Sequence, residues 1–125
     1  MVKERRLEKI LRRYRDKNRQ IPILVEGKKD EASLRSLEFV GEIIILNRGS
    51  SLLSLSESIS RSHREIILLT DFDEKGVELE HQIEAYLTSM GCFPDTFLWN
   101  YLRRYLPAHT VEDLPVAISQ VLQED

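Results

Sequence analysis

Ile66-Ile67-Leu68-Leu69 is a run of four aliphatic residues set between Arg64-Glu65 and Thr70-Asp71. A run this short and this uniformly apolar suits a strand buried on both faces. Such a strand needs a sheet covered by helices above and below, which is the situation of a parallel α/β sheet. The chain leaves the run through Asp71-Phe72-Asp73-Glu74-Lys75-Gly76. Residues two apart on an extended chain point the same way, so Asp71 and Asp73 can converge on one cation. Gly76 is expected to free the backbone for the turn into a helix. The plainer alternative is that an Asp after a strand caps the helix that follows.

The remaining chain alternates in the same manner. Ile21 to Val25 reads as a first strand that ends in Glu26-Gly27 and enters a helix through Lys28-Lys29-Asp30-Glu31. A carboxylate at the end of a buried strand is costly without a partner or a metal. Glu42 to Leu46 reads as a second strand, followed by the polar turn Asn47-Arg48-Gly49-Ser50-Ser51 and a helix over 52–62. The central strand leads to a helix over about 76–90, a short fourth strand within 92–99 and a helical piece at 101–106. Thr110-Val111-Glu112-Asp113 caps a last helix reaching about Leu122. Strand–helix alternation with short connections predicts about four parallel strands with helices on both faces. Glu26, Asn47, Asp71 and Asp73 then share the C-terminal rim. Carboxylates crowded there repel one another, and an all-oxygen donor set suits Mg²⁺.

Residues 3–17 form a separate signal. Leu7, Ile10, Leu11 and Tyr14 recur at helical spacing, with basic residues on the other faces. Residues 1–20 carry nine Lys/Arg against three acids, whereas the rest of the chain carries nine against eighteen. A basic helix on an acidic body reads either as a solvated helix docked by its apolar stripe or as a helix whose basic face meets phosphates. Arg5 and Arg12 are candidates for such contacts.

The net charge of −3 argues against a general nucleic-acid binder. The lone Cys92 forms no internal disulfide and builds no zinc site by itself. No stretch approaches a membrane span, and the charged N-terminus lacks the apolar region of a signal peptide. A cytoplasmic, single-domain protein is expected over residues 1–125, with no membrane partner.

Two motifs together resemble a known family. Val25-Glu26-Gly27-Lys28-Lys29-Asp30 after the first strand and Thr70-Asp71-Phe72-Asp73-Glu74-Lys75-Gly76 after the third resemble the Toprim domain. That domain is shared by topoisomerases, bacterial-type primases and several nucleases. The layout is similar to the small stand-alone Toprim proteins of archaea. The resemblance divides the chain into a basic N-terminal helix at 1–19, a Toprim-like (Rossmann-like) core at 20–100 and a C-terminal helical extension at 101–125. It implies that Glu26 acts as general acid/base or metal ligand and that Asp71 and Asp73 hold Mg²⁺, or Mn²⁺, with up to two ions. It maps the auxiliary acid onto Asp30 and the polar turn after the second strand onto Asn47-Arg48-Gly49, with Gly76 closing the second motif. Lys28, Lys29, Lys75 and Arg48 lie where a nucleic-acid phosphate would be held. The acid that topoisomerases carry directly after the glycine is replaced by Val77, which argues against strand passage.

The leading expectation is Mg²⁺-dependent nuclease-type chemistry on RNA or DNA. The alternative is a non-catalytic nucleic-acid-binding adaptor, or the subunit of a protein partner, that keeps the metal site. A HAD-type phosphatase also uses Asp-x-Asp after a strand, but it places Thr or Val where Lys75 stands and uses its first strand.

Overall fold

In the computed structural model, residues 2–46 and 49–122 are described. The elements run α1 (Val2–Asn18), β1 (Ile23–Val25), α2 (Lys28–Ser36), β2 (Ile43–Ile45), α3 (Leu52–Ser62), β3 (Glu65–Leu68), α4 (Glu74–Ser89), β4 (Phe93–Asp95), α5 (Phe97–Tyr105) and α6 (Leu114–Leu122). The four strands form one parallel sheet in the order β2-β1-β3-β4. This is a generic Rossmann-like α/β arrangement, as the alternation of the sequence implies.

Residues 66–69 are fully buried, and they serve two cores. Ile67 and Leu69 face a larger cluster with Leu7, Ile10, Leu11 and Tyr14 of α1, Leu98, Trp99 and Leu102 of α5, and Leu114, Ala117 and Ile118 of α6. Ile66 and Leu68 face a smaller cluster with Ile59 of α3 and Ile83 and Leu87 of α4. The period-2 alternation of a strand sends successive side chains to opposite faces, so one aliphatic run ties both layers together. Truncating Ile67 or Leu68 to Ala is expected to cost about 2–5 kcal/mol.

The basic helix is therefore part of the main core, not an appended arm. Its apolar stripe is buried while Arg5, Arg6, Lys9, Arg12 and Arg13 stay exposed. Polar contacts fix it further. The Tyr14 hydroxyl donates to the Asp95 carboxylate at 2.9 Å, and the Lys17 ammonium reaches Asp95 at 2.5 Å and Glu65 at 2.6 Å. The Asn18 amide donates to the carbonyls of Ile21 and Glu42 and accepts from the Gly41 N–H.

Local differences from the sequence expectation lie at element ends. Helix α5 begins at Phe97, four residues before the helical piece expected at Tyr101. Helix α6 begins at Leu114, and Thr110 instead accepts the Asp113 N–H in a preceding turn. On α4, Tyr86 is exposed although it stands beside the buried Leu87. Asn47 and Arg48 lie outside the described residues.

Candidate metal and nucleic-acid site

In the order β2-β1-β3-β4, the chain passes from β1 to one neighbour and then crosses back to the other. The crevice between β1 and β3 is thus the topological switch point, where open α/β sheets hold their ligands. Glu26 follows β1 and Asp71 lies three residues past β3. The two segments are joined there: the Asp71 N–H donates to Glu26 Oε2 at 2.8 Å. This bond extends the β1–β3 ladder past its last backbone pair, in which the Leu69 N–H donates to the Leu24 carbonyl.

The loop from Thr70 to Gly76 is held on all sides. The Thr70 hydroxyl donates to the Gly76 carbonyl at 2.8 Å, and the Trp99 indole N–H donates to the Thr70 carbonyl at 3.0 Å. The Phe72 N–H donates to the His109 carbonyl, and its ring lies 6.4 Å from that of Trp99. Gly76 is needed for a reason that the sequence reading did not supply. A Cβ there would stand 2.0 Å from the Asp71 carbonyl oxygen, so the helix start packs directly onto the loop backbone. Close approach, not freedom to turn, is what excludes a side chain.

Each acid already has a local hydrogen bond. Asp73 is the N-cap of α4 and accepts the Gly76 N–H at 2.8 Å, so the capping alternative holds for that residue. Asp71 Oδ1 accepts the Val111 N–H at 2.9 Å. Asp30 is buried and accepts the Gly27 N–H at 3.0 Å, closing the N-terminus of α2. Val111 belongs to the loop before α6, and this contact was missed by sequence reasoning. An acid-flanked valine carries no signal of it, because any residue has an N–H to give.

Electrostatics single out Asp71. Burial pushes its carboxyl up to about 6; the Val111 N–H opposes the shift, and the charges of Glu26, Asp30 and Asp73 add to it. Burial also raises Asp30, with the Gly27 N–H opposing and Glu112 adding. Glu26, Asp30 and Asp73 therefore each lie close enough to Asp71 for their charges to act on it. Among the described residues, no group of three or more His, Cys, Asp or Glu is arranged to hold a metal ion.

Lys28, Lys29 and Lys75 are exposed in the first turns of α2 and α4, on the same rim. Arg5 and Arg12 are exposed on α1. Arg12 lines a cavity between α1 and α6 together with Glu8, Arg15 and Glu38, away from the acids. Cys92 is a buried free thiol, and no helix of the described residues is long and apolar enough to cross a membrane.

The chain is similar to a UPF0292 protein of Thermoplasma volcanium, at 50% identity over 116 residues that span 93% of this chain and 98% of the relative. A UPF0292 protein of Thermococcus kodakarensis is 43% identical over 96 residues, 74% of this chain and 69% of its own. A solved structure of a protein from Aquifex aeolicus superposes with a TM-score of 0.74 at 24% identity, covering 86% of this chain and 96% of that one. That likeness concerns the fold alone. No family model matches the chain.

Proposed function

The chain belongs to the UPF0292 family, and on its rim geometry we propose that it is a Toprim-like, Mg²⁺-dependent protein acting on nucleic acid by nuclease-type phosphodiester chemistry. The observation that carries this reading is the convergence of Glu26 and Asp71 at the switch point, with Asp30 and Asp73 beside them. The charges of Glu26, Asp30 and Asp73 all raise the proton affinity of Asp71, and a cation bound beside it would relieve that repulsion.

The donor set fits a hard cation. All candidates are carboxylate oxygens, and Mg²⁺ is commonly held by one or two carboxylates with water and substrate phosphate completing its shell. Asp71 and Asp73 would hold it through the oxygens not taken by Val111 and Gly76. When bound, the ion would neutralise charge developing on the phosphate.

The chain's own groups supply the rest. Glu26 Oε2 is fixed by the Asp71 N–H, which leaves Oε1 to take a proton from an attacking water. As the water oxygen bonds to phosphorus, the bond to the leaving oxygen breaks, that oxygen takes a proton from solvent, and Glu26 returns the proton it took to solvent. Lys28, Lys29 and Lys75 stand on the same rim to hold flanking phosphates.

A second reading is a nucleic-acid-binding adaptor without chemistry. It is favoured by the fact that Asp71, Asp73 and Asp30 each already satisfy a backbone N–H. Cleavage of labelled RNA and DNA with Mg²⁺ or Mn²⁺ separates the two. Loss of cleavage in Glu26→Gln and Asp71→Ala with retained binding supports the enzyme. Equal residual cleavage in all three proteins points to a contaminant, and binding without cleavage in the wild type favours the adaptor.

A further inference from the structure

Residues of α1 and α5 together line one groove on the surface. On α5, Phe97, Tyr101 and Tyr105 recur every fourth residue and form an aromatic stripe about 12 Å long. On α1, Arg6 and Ile10 line the groove, and Arg13 lies one turn further on, beside Phe97. The pairing is explicit: the Arg13 guanidinium is 5.6 Å from the Phe97 ring centre, and Arg6 acts electrostatically on Tyr101. The groove holds about 470 Å³, and no acid lines it.

Two of the rings are left open. Phe97 is 49% exposed and Tyr105 38%, while Tyr101 between them is buried. Phe97 lies nearly parallel to the buried Tyr14 ring, with an interplanar angle of 6° and centres 6.3 Å apart. Tyr105 is held by Tyr101 at 5.0 Å and by the Arg104 guanidinium at 5.4 Å. Both rings are packed against an aromatic neighbour and a guanidinium and still keep part of their surface in solvent.

The groove also leads somewhere. Asn100 and Arg104 line it, and the same two residues line a second cavity of about 630 Å³ on the other side of α5. That cavity adds Arg103 and His109 and ends at Phe72, the residue between Asp71 and Asp73. Arg104 and Arg103 thus extend from the aromatic stripe to the loop that carries Phe72.

We propose that the α1–α5 groove is a docking surface for single-stranded nucleic acid. Bases stack on Phe97 and Tyr105, while Arg6, Arg13 and Arg104 neutralise phosphates and the strand is led toward the rim acids. Charge complementarity favours a polyanion here: the charged side chains that line the groove are Arg6 and Arg104, with Arg13 beside Phe97. Stacking on exposed aromatics is the sequence-tolerant mode by which proteins hold single strands, and duplex bases are closed to it. The inference rests on the nucleic-acid reading above, but not on cleavage.

The test is fluorescence anisotropy of labelled oligo-dT and oligo-rU on the full chain, with a duplex of equal length as reference. Phe97→Leu keeps the apolar contact with Tyr14 and removes the platform; Tyr105→Ala removes the second. The double variant is expected to bind single strands at least tenfold more weakly with an unchanged salt slope, stacking being worth about 1–3 kcal/mol per base. Arg6→Glu with Arg104→Glu is expected to lower the salt slope. Thermal melting checks that each variant is folded. Wild-type binding that the Phe97→Leu/Tyr105→Ala variant retains in full would overturn the groove while leaving the nucleic-acid reading intact. So would duplex bound as tightly as single strand. Absence of any wild-type binding at low salt would overturn both. A dimer in sedimentation that Phe97→Leu dissolves would give the groove to a second copy of the chain instead.

Discussion

Glu26 and Asp71, 45 residues apart in the chain, meet through one hydrogen bond in which the Asp71 N–H donates to the Glu26 carboxylate at 2.8 Å. The candidate base is thereby also a structural clasp between the ends of β1 and β3. Its charge and its clasp can be separated by substitution. Glu26→Gln keeps an oxygen acceptor for that N–H, whereas Glu26→Ala leaves it unpartnered.

The expected outcome is a split. Glu26→Ala is destabilised by about 1–3 kcal/mol, the cost of a charge-assisted bond in a partly buried place. Glu26→Gln melts within a degree or two of wild type. Equal melting temperatures for the two variants would remove the clasp.

Asp71 gives a pH prediction of definite sign. Its folded-state value is raised to about 6, so the folded chain holds a proton that the unfolded chain has already lost. Stability contributed by that proton is full at pH values below the ordinary Asp range and falls away as pH rises to about 6. Asp71→Asn keeps the acceptor for Val111 and removes the charge. It is expected to melt above wild type at pH 8, with the gap closing toward pH 4. Mn²⁺ at pH 8 should raise the wild-type melting temperature and leave Asp71→Asn nearly unmoved; an equal rise in both would take Asp71 out of the metal site.

Glu80 sits on the buried face of α4 with 2% exposure, and burial, helped by a hydrogen bond to Glu84 and its charge, pushes its carboxyl up to about 8. His81 lies 3.5 Å away, but its side chain is 69% exposed, so water screens it and burial decides. The folded state again holds the extra proton. Wild-type stability should decline between pH 5 and pH 9, and Glu80→Gln should flatten that decline. A variant with the same slope as wild type would show that another group is responsible.

Asp95 has the opposite sign. Burial opposes its ionisation, but Lys17, the Phe97 N–H and the Tyr14 hydroxyl together hold the carboxyl below its usual range. Its contribution is therefore present above the ordinary Asp range and lost as pH falls through the lowered folded value. Asp95→Asn is expected to cost about 1.5–3 kcal/mol, because it removes the charge-assisted bonds to Lys17 and the Phe97 N–H while Lys17 keeps Glu65. Tyr14→Phe removes one bond and should cost about 1 kcal/mol. Urea titration that ranks them the other way round would refute the ion-pair account.

The fold was legible because its signals are local. Ile66 to Leu69, Ile43 to Ile45 and the stripe from Leu7 to Tyr14 declare their periods within a few residues, and each lies where its pattern puts it. Rim placement followed from parallel strands alone. The role of Gly76 was less accessible, because close approach to the Asp71 carbonyl depends on how a helix seats on a loop. The start of α5 was hidden by Asp95-Thr96, which read as part of a strand region, and with it the fourfold spacing of Phe97, Tyr101 and Tyr105. The Val111 contact arises from tertiary docking of a loop 40 residues away, and no residue type announces it.

Strand β3 feeds both layers, but the layers are unequal. Behind Ile67 and Leu69 stand α1, α5 and α6; behind Ile66 and Leu68 stand α3 and α4 alone among the clustered helices. The molecule is therefore expected to come apart in steps, with the thinner α3 side opening before the thicker one. The Thr70 anchor to Trp99 and the Val111 clamp tie the Asp71 segment to the thicker side, whereas Asp73 caps α4 of the thinner one. The acids are thus divided between the layers: opening of the α3–α4 side would carry Asp73 with it while Asp71 stays clamped.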